Sequence, residues 1–220
     1  MKKLVSPEKA ISLIRDGSRI MVGGFGLVGC PLTLIDSLVA SGVKDLEIIS
    51  NNLGEPGRGL GLLVRENRVR RGIGSFFTSN PEVAEAKAAG RLEIELVPQG
   101  TLSEAIRAGG AGIPAFFTPV GAGTDIGAGK EERRFGSRPC ILQESYRADV
   151  ALIKAHRADI LGNLIYSKSA RNFNPIMATA AELVIAEVDE IMETGALPPD
   201  AIVTPHLFVD LIVLREGEGP

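Results

Sequence analysis

Short apolar runs alternate along the chain with segments whose apolar residues recur every three or four positions. The runs that are typical of strands lie at residues 20–22, 46–49, 92–97, 150–156 and 183–188. Helix start signals open several of the other segments, because Ser6-Pro7, Pro31 and Asn80-Pro81 each put a proline in a first helical turn. Strands and helices in alternation predict an α/β fold, with a mostly parallel sheet flanked by helices.

Other segments give less regular signals. The first helix should end at Gly17, Thr101 should begin another helix through a capping box with Glu104, and residues 162–168 indicate a strand. Residues 121–138 are rich in glycine and charge, and we expect a hairpin or a mobile loop there. Because no repeat or linker interrupts the chain, one domain is predicted over residues 1–220, with its core at about 4–214.

Residues 24–29, GFGLVG, fit the spacing G-x-G-x-x-G between a predicted strand and a predicted helix. Amides in such a turn and at a helix N-terminus can bind phosphate, carboxylate or an oxyanion, although a tight turn without a ligand explains the glycines as well. A dinucleotide site needs an acidic residue about 20 positions further on. Ser50, Asn51 and Asn52 occupy that place, and Glu47 lies inside the strand. The pattern therefore argues against NAD.

Two polar residues follow predicted strands, namely Asn51 and Gln99. The carboxyl ends of parallel strands meet at one edge of the sheet, where ligands bind. Taken singly, each of these side chains is explained by turn formation or capping. Together with the glycine turn they favour a binding site. Asn174, which precedes Pro175, is interpreted as a helix N-cap.

Several other chemistries find no motif in this sequence. The nearest match to an ATP-binding loop, residues 123–131, has the wrong glycine spacing and ends on Glu131. A G-x-S-x-G serine elbow does not occur. His156 and His206 are the only histidines and stand far apart, so no metal is expected.

Composition narrows the classes of partner. The chain has 220 residues and a formal net charge of −3, and its basic runs at 68–71 and 130–134 are short or mixed in sign. We interpret these runs as surface charge and expect no nucleic-acid partner.

Cys30 and Cys140 stand far apart, as is typical of thiols in a reducing compartment. No apolar run approaches the roughly 20 residues of a membrane span, and residues 1–8 lack an apolar signal core. A cytoplasmic protein without a membrane partner is expected.

Four stretches resemble a known family: VGGFGLVGCP at residues 22–31, SNN at 50–52, PQGTLSEAIRAGGAGIPAFFTP at 98–119 and KSARNFNP at 168–175. They are similar, in this order, to the A (alpha) subunit of family I CoA-transferases, of the 3-oxoacid CoA-transferase type. The resemblance covers nearly the whole chain. It implies a parallel α/β fold and transfer of CoA from succinyl-CoA, or another acyl-CoA, to a 3-oxo acid such as acetoacetate or 3-oxoadipate.

The resemblance also implies where the nucleophile lies. In the family, a glutamate of the B subunit, within a Ser-Glu-Asn-Gly motif, attacks the thioester and then carries CoA. That tetrapeptide does not occur in this sequence, and Glu55, within GEPG, is not a match. The chain is therefore expected to act only when paired with its B subunit, in a heterodimer or an α2β2 heterotetramer.

By the same match, Gln99 and Asn51 are expected to support catalysis beside the partner's glutamate, as donors to an oxyanion. CoA is expected as a substrate and not as a permanently bound cofactor. The residues implied in binding it are Gly24, Phe25, Gly26, Leu27, Val28, Gly29 and Cys30. The alternatives are a subunit of an acetate or butyrate CoA-transferase, and a non-enzymatic domain that senses an acyl-CoA or a sugar phosphate.

Overall fold

The structure, a computed structural model, describes residues 3–215. Residues 1, 2 and 216–220 of the predicted domain lie outside the described residues, and the assignment of a single domain stays a prediction. The helices are α1 (Pro7–Ile11), α2 (Leu32–Ser41), α3 (Leu60–Arg65), α4 (Pro81–Ala88), α5 (Gln99–Gly110) and α6 (Asn174–Met177). The strands are β1 (Arg19–Val22), β2 (Leu46–Ile49), β3 (Val69–Gly74), β4 (Glu93–Leu96), β5 (Ala115–Thr118), β6 (Glu132–Phe135), β7 (Arg138–Glu144), β8 (Ala148–Asp159), β9 (Leu164–Ile165), β10 (Ala181–Met192) and β11 (Leu211–Leu214).

Seven parallel strands form the main sheet, in the order β11-β10-β8-β1-β2-β3-β4. The predicted α/β class with a mostly parallel sheet is confirmed. From β1 the chain adds strands on one side as far as β4, and it later adds β8, β10 and β11 on the other side. The strand order therefore reverses between β1 and β8. In open α/β sheets, ligands bind outside the carboxyl ends of the strands at such a reversal.

Helices cover both faces of the main sheet, as predicted. Because successive residues of a strand point to opposite faces, Ile20 and Met21 of β1 enter two different apolar cores. The core around Ile20 includes residues of α1, α2, α3 and α4. The core around Met21 includes residues of α5 and α6. The carboxyl edge of the sheet lies between these two layers.

The starts of α1 and α4 follow the local sequence signals. The side chains of Ser6 and Asn80 each accept a hydrogen bond from an amide in the first turn of α1 and α4. The predicted end of α1 was wrong, because this helix ends at Ile11 and not at Gly17. Beyond Ile11, Leu13 lies in a turn and Ile14 follows it outside any helix or strand.

The predicted start of α5 was also wrong, by two residues. The capping-box spacing indicates Thr101, but the helix begins at Gln99. The amide of Leu102 already donates to the carbonyl of Pro98 at 2.8 Å, which closes the first helical turn. Gln99 therefore lies on the first turn of a helix at the edge of the sheet, and not in a loop.

The sequence pattern missed two neighbouring elements, α3 and β3. β3 contains Arg70 and Arg71, which the sequence analysis interpreted as surface charge. Arg70 pairs with Glu47 of β2 at 3.2 Å, and Arg71 pairs with Glu95 of β4 at 2.6 Å. These ion pairs between adjacent strands replace the apolar run that would have marked β3. The strand ends directly before Ser75.

A separate antiparallel sheet has the strand order β5-β7-β6. β6 and β7 pair as a hairpin, so the hairpin that was one of the two expectations for residues 121–138 is confirmed only for the end of that stretch, and the hairpin continues beyond it. Tyr146, just after β7, donates its hydroxyl to Glu95 of the main sheet at 2.6 Å. The strand predicted at 162–168 is reduced to β9, which runs antiparallel to β8. Among the described residues, none of the helices has the length and apolar content to span a bilayer.

Candidate active site

A cavity of about 460 Å³ opens at the carboxyl edge of the main sheet, beside the first turn of α5. We call it the glutamine cavity, and its lining consists of Phe25, Gly26, Asn51, Asn52, Glu55, Ser75, Phe76, Ser79 and Gln99. The structure thus brings Asn51 and Gln99 together with part of the glycine loop, a name used here for residues 24–30. Four successive strands of the sheet, β1 to β4, each lead into a segment that contributes to this lining.

The glycine loop has a backbone shape that requires glycine. The φ angles of Gly24, Gly26 and Gly29 are 122°, 61° and 71°, in a region that residues with a Cβ rarely adopt. Phe25 and Val28 exchange two backbone hydrogen bonds, so the loop is a tight turn. Turn geometry alone therefore explains these glycines, which was one of the two interpretations of the motif.

Most amides of the glycine loop already donate to acceptors within the protein. The amide of Gly24 donates to Asn172 Oδ1 at 3.2 Å, and that of Gly26 donates to Asn51 Oδ1 at 3.3 Å. Within residues 3–215, the loop amides at positions 27 and 29 are those without an acceptor. The loop does not present a row of free amides, and its contact with CoA stays a prediction.

Two asparagines, Asn172 and Asn174, form hydrogen bonds with the backbone of the glycine loop, and we call them the asparagine floor. Asn174 Oδ1 accepts the amide of Lys154 at 2.9 Å. Its Nδ2 donates to the carbonyls of Gly29 at 3.0 Å and Ala170 at 2.9 Å. Each amide side chain therefore bonds to main-chain groups that surround the loop. The floor fixes the loop's position against β8.

The interpretation of Asn174 as an N-cap was wrong. α6 begins at Asn174 itself, and the preceding Phe173 occupies the cap position. The Asn174 side chain is 0% exposed, and a Cβ on Gly23 would lie only 1.8 Å from its Oδ1. No local sequence signal marks this role, because the carbonyl of Gly29 that Asn174 binds lies 145 positions away along the chain.

Three side chains at the edge of the glutamine cavity form a hydrogen-bonded group, and we call Asn51, Ser75 and Gln99 the amide cluster. Asn51 Nδ2 donates to Gln99 Oε1 at 3.0 Å and to Ser75 Oγ at 3.0 Å. The Ser75 hydroxyl also bonds to Gln99 Oε1. Gln99 Nε2 has no acceptor among the described residues. Sequence reasoning missed Ser75 because it missed β3, the strand that positions this serine.

A smaller cavity of about 200 Å³ lies on the other side of the glycine loop, against β8 and β10, and we call it the lysine cavity. Lys154 Nζ pairs with Asp189 and lies 3.5 Å from Glu187. Glu187 is 1% exposed and accepts the amide of Leu34, in the first turn of α2, at 3.2 Å. Burial raises the pKa of Glu187, against the opposing effects of Lys154 and the helix amides. These contacts anchor the helix that follows the loop.

Cys30 borders the lysine cavity and not the glutamine cavity. Burial raises the pKa of Cys30 to about 12, so its thiol stays protonated at neutral pH and is a poor nucleophile. His156 Nδ1 lies 3.2 Å from Asp189 Oδ2, and His206 Nδ1 lies 3.3 Å from Asn163 Oδ1. Over residues 3–215, no group of three His, Cys, Asp or Glu side chains is arranged to hold a metal ion. The expectation that no metal is bound stays a prediction.

A sequence model of the coenzyme A transferase family matches residues 4–215, nearly all of the chain that the structure describes. The chain belongs to this family. It is 50% identical, over 99% of its own length and 91% of the relative's, to the A subunit of a probable succinyl-CoA:3-ketoacid coenzyme A transferase of Bacillus subtilis (strain 168). It is 48% identical to the A subunit of the 3-oxoadipate CoA-transferase of Pseudomonas putida, over 98% of its own length and 94% of the relative's. It is 46% identical to the alpha subunit of the acetate CoA-transferase of Escherichia coli (strain K12), over 97% of its own length and 97% of the relative's.

A solved structure shares the fold of this CoA-transferase family member. It is an acyl-CoA transferase from Escherichia coli O157:H7 in a thioester complex with CoA, with a TM-score of 0.88 at 20% identity. The match covers 97% of this chain and 50% of that one, so this chain spans half the length of that protein. At this identity the likeness shows the fold alone.

The comparisons confirm the family, the fold and the enzyme class that the sequence resemblance implied. A CoA-transferase acting on 3-oxo acids agrees with the names of two of these relatives. The non-enzymatic sensor domain agrees with none of them. The roles of Gln99, Asn51 and the glycine loop stay predictions, and the amide cluster is the geometry on which they depend.

Proposed function

We propose that this chain is the A subunit of a two-subunit 3-oxoacid CoA-transferase. It moves CoA from succinyl-CoA, or another acyl-CoA, to a 3-oxo acid such as acetoacetate or 3-oxoadipate. The observation that carries the proposal is an amide donor, Gln99 Nε2, at a cavity whose described lining contains one carboxylate, Glu55. Glu55 is exposed, and its GEPG stretch does not match the family's nucleophile motif. The nucleophile therefore belongs to a partner chain.

The reaction divides between the two chains. A glutamate carboxylate of the partner attacks the thioester carbonyl, the CoA thiolate leaves, and an acyl-glutamyl anhydride forms. The thiolate then attacks the glutamyl carbonyl, which releases the first acid and leaves a glutamyl-CoA thioester. The acceptor acid reverses these two steps. Each attack puts negative charge on a carbonyl oxygen, and Gln99 Nε2 of this chain donates a hydrogen bond to it.

The glycine loop contributes the wall of the site rather than a phosphate cradle. The asparagine floor holds the loop, and the loop presents Phe25 and Gly26 to the glutamine cavity. The amides at positions 27 and 29 have no acceptor among the described residues, and both residues line the lysine cavity. This division supports the assignment of residues 24–30 to CoA binding, with CoA as a substrate and not as a resident cofactor.

Apolar side chains around the cavity support the docking of a second chain at this edge of the sheet. Phe25, Val28 and Phe76 are 53%, 52% and 52% exposed. Aromatic and aliphatic groups exposed next to one another mark interaction surfaces. A B subunit that carries the glutamate would cover them, in a heterodimer or an α2β2 heterotetramer in the cytoplasm.

A coupled assay tests the proposal. The chain is expressed with a candidate partner that contains Ser-Glu-Asn-Gly, and the purified complex is given succinyl-CoA and a panel of acids. We expect transfer to acetoacetate or 3-oxoadipate by the complex and none by either chain alone. Preference for acetate or butyrate would instead identify the alternative family member. Transfer by this chain alone would contradict the proposal.

A further inference from the structure

The orientation of the Gln99 amide is set by the hydrogen bonds of its neighbours. Asn51 Oδ1 accepts from the amide of Gly26 at 3.3 Å and from Asn52 Nδ2 at 3.4 Å. Because the oxygen of Asn51 faces these two donors, its Nδ2 must face the other way, toward Ser75 and Gln99. A donor in that position requires an acceptor opposite it, and Gln99 presents its Oε1.

Ser75 adds the second constraint on Gln99. Its Oγ accepts from Asn51 Nδ2, so its own hydrogen is free to be donated. Two acceptors lie within reach, the main-chain carbonyl of Asn51 at 3.3 Å and Gln99 Oε1. A flipped Gln99 would put its NH2 group against the NH2 group of Asn51, and it would remove the acceptor that Ser75 uses. The pair therefore holds the amide in one orientation.

We propose that Ser75 is a positioning residue for CoA transfer, acting with Asn51 to hold Gln99 so that its NH2 group faces the reacting carbonyl. The inference rests on the proposed function of the glutamine cavity. Asn51 is 3% exposed, and both its oxygen and its nitrogen are already bonded within the protein. Asn51 therefore acts through Gln99 and not as an oxyanion donor of its own. Gln99 alone of the three directs a donor at the substrate.

A double-mutant cycle separates this role from independent contributions. In the assembled two-chain enzyme, Ser75→Ala should lower kcat about ten- to a hundredfold, as loss of alignment at a reacting centre does. The KM for the acyl-CoA should change by less than about twofold, because a residue that acts by orienting Gln99 changes the rate of reaction more than it changes substrate binding. Ser75→Thr, which keeps the hydroxyl, should restore most of the rate.

The decisive arm is the same substitution in a Gln99→Ala background. If Ser75 acts only through Gln99, the double variant should have a kcat within about twofold of that of Gln99→Ala alone. The matched control is Ser12→Ala, which removes a hydroxyl that donates to the Lys9 carbonyl at 2.8 Å, at the end of α1 and outside the lining of the cavity. Ser12→Ala should leave kcat unchanged in each background, at the wild-type value when it is made alone and at the Gln99→Ala value in the double variant.

Two results would overturn the role of Ser75: a wild-type kcat for Ser75→Ala, or a full and multiplicative loss in the Gln99→Ala background. Failure of the proposed function is distinguishable, because the wild-type complex would then transfer CoA to no acid of the panel. In that case the side-chain amide NMR signals of Gln99 test whether Ser75 positions Gln99. Ser75→Ala should shift them and Ser12→Ala should not, and unshifted signals in Ser75→Ala would refute the positioning role.

Discussion

Two groups of amide side chains border the glycine loop, and they differ in what they leave unpaired. In the asparagine floor, Asn174 is fully buried, and its oxygen and nitrogen both bond to main-chain groups. In the amide cluster, Gln99 is exposed, its oxygen is bonded, and its nitrogen has no acceptor among the described residues. A fully paired amide holds backbone in place, whereas an oriented amide with a free donor can bind a ligand.

The glycine loop connects the two groups, because the amide of Gly24 bonds to the floor and that of Gly26 bonds to the cluster. Substitutions in the floor should therefore act on stability first, and substitutions in the cluster should act on rate. The following experiments test this division.

The largest effect is expected at Gln99. Gln99→Ala removes the donor to the oxyanion, and loss of one such donor typically lowers kcat by about 10²–10³. Gln99→Glu keeps the size of the side chain and removes its N–H groups, so it should lose a comparable factor. Steady-state kinetics of the two-chain enzyme gives the measurement. A kcat near the wild-type value in both variants would place the chemical role elsewhere.

The next effect is expected in the floor. Asn174→Ala would leave the amide of Lys154 and the carbonyls of Gly29 and Ala170 without partners. Unpaired buried groups of this kind should lower the free energy of unfolding by roughly 2–4 kcal/mol, as measured by denaturant titration. Gln99→Ala is the control and should change it by less than about 0.5 kcal/mol. Equal losses in the two variants would abolish the distinction between floor and cluster.

A smaller effect is expected at Gly26. A Cβ there would meet nothing within 4 Å, but φ is +61°. Gly26→Ala should therefore destabilise the chain by about 1–2 kcal/mol through backbone strain alone. Gly100→Ala is the matched control, since a Cβ there also meets nothing within 4 Å and the residue is helical. That variant should be neutral or more stable by up to about 1 kcal/mol. The idea fails if both alanines behave alike in thermal unfolding.

The smallest effect is expected at Cys30, which lies on the loop but outside the amide cluster. Because burial raises its pKa to about 12, the thiol should resist iodoacetamide at about pH 8 in the folded chain. The same thiol should react in guanidinium chloride, which is the control. Mass spectrometry of tryptic peptides gives the readout. Rapid alkylation of folded protein would show that this part of the loop is open to solvent.

The main sheet could be predicted from sequence because its central strands are apolar runs, as in 46–49 and 150–156. β3 could not, because Arg70 and Arg71 pair with carboxylates on neighbouring strands that only the fold brings near. Ser75 was missed for the same reason, because it directly follows β3. Gln99 and Asn51 were found because both follow strands of one parallel sheet. Asn174 was misinterpreted because its local sequence matches a cap, while its hydrogen bonds are set by tertiary packing.

The central claim is that this chain supplies the oriented amide and a partner supplies the nucleophile. The most direct test is mass spectrometry of both chains after the assembled enzyme has been incubated with acyl-CoA. Borohydride reduction, or cleavage by hydroxylamine, should then mark one glutamate of the partner and no residue of this chain. A covalent CoA adduct on Glu55, or on any other glutamate of this chain, would contradict the account.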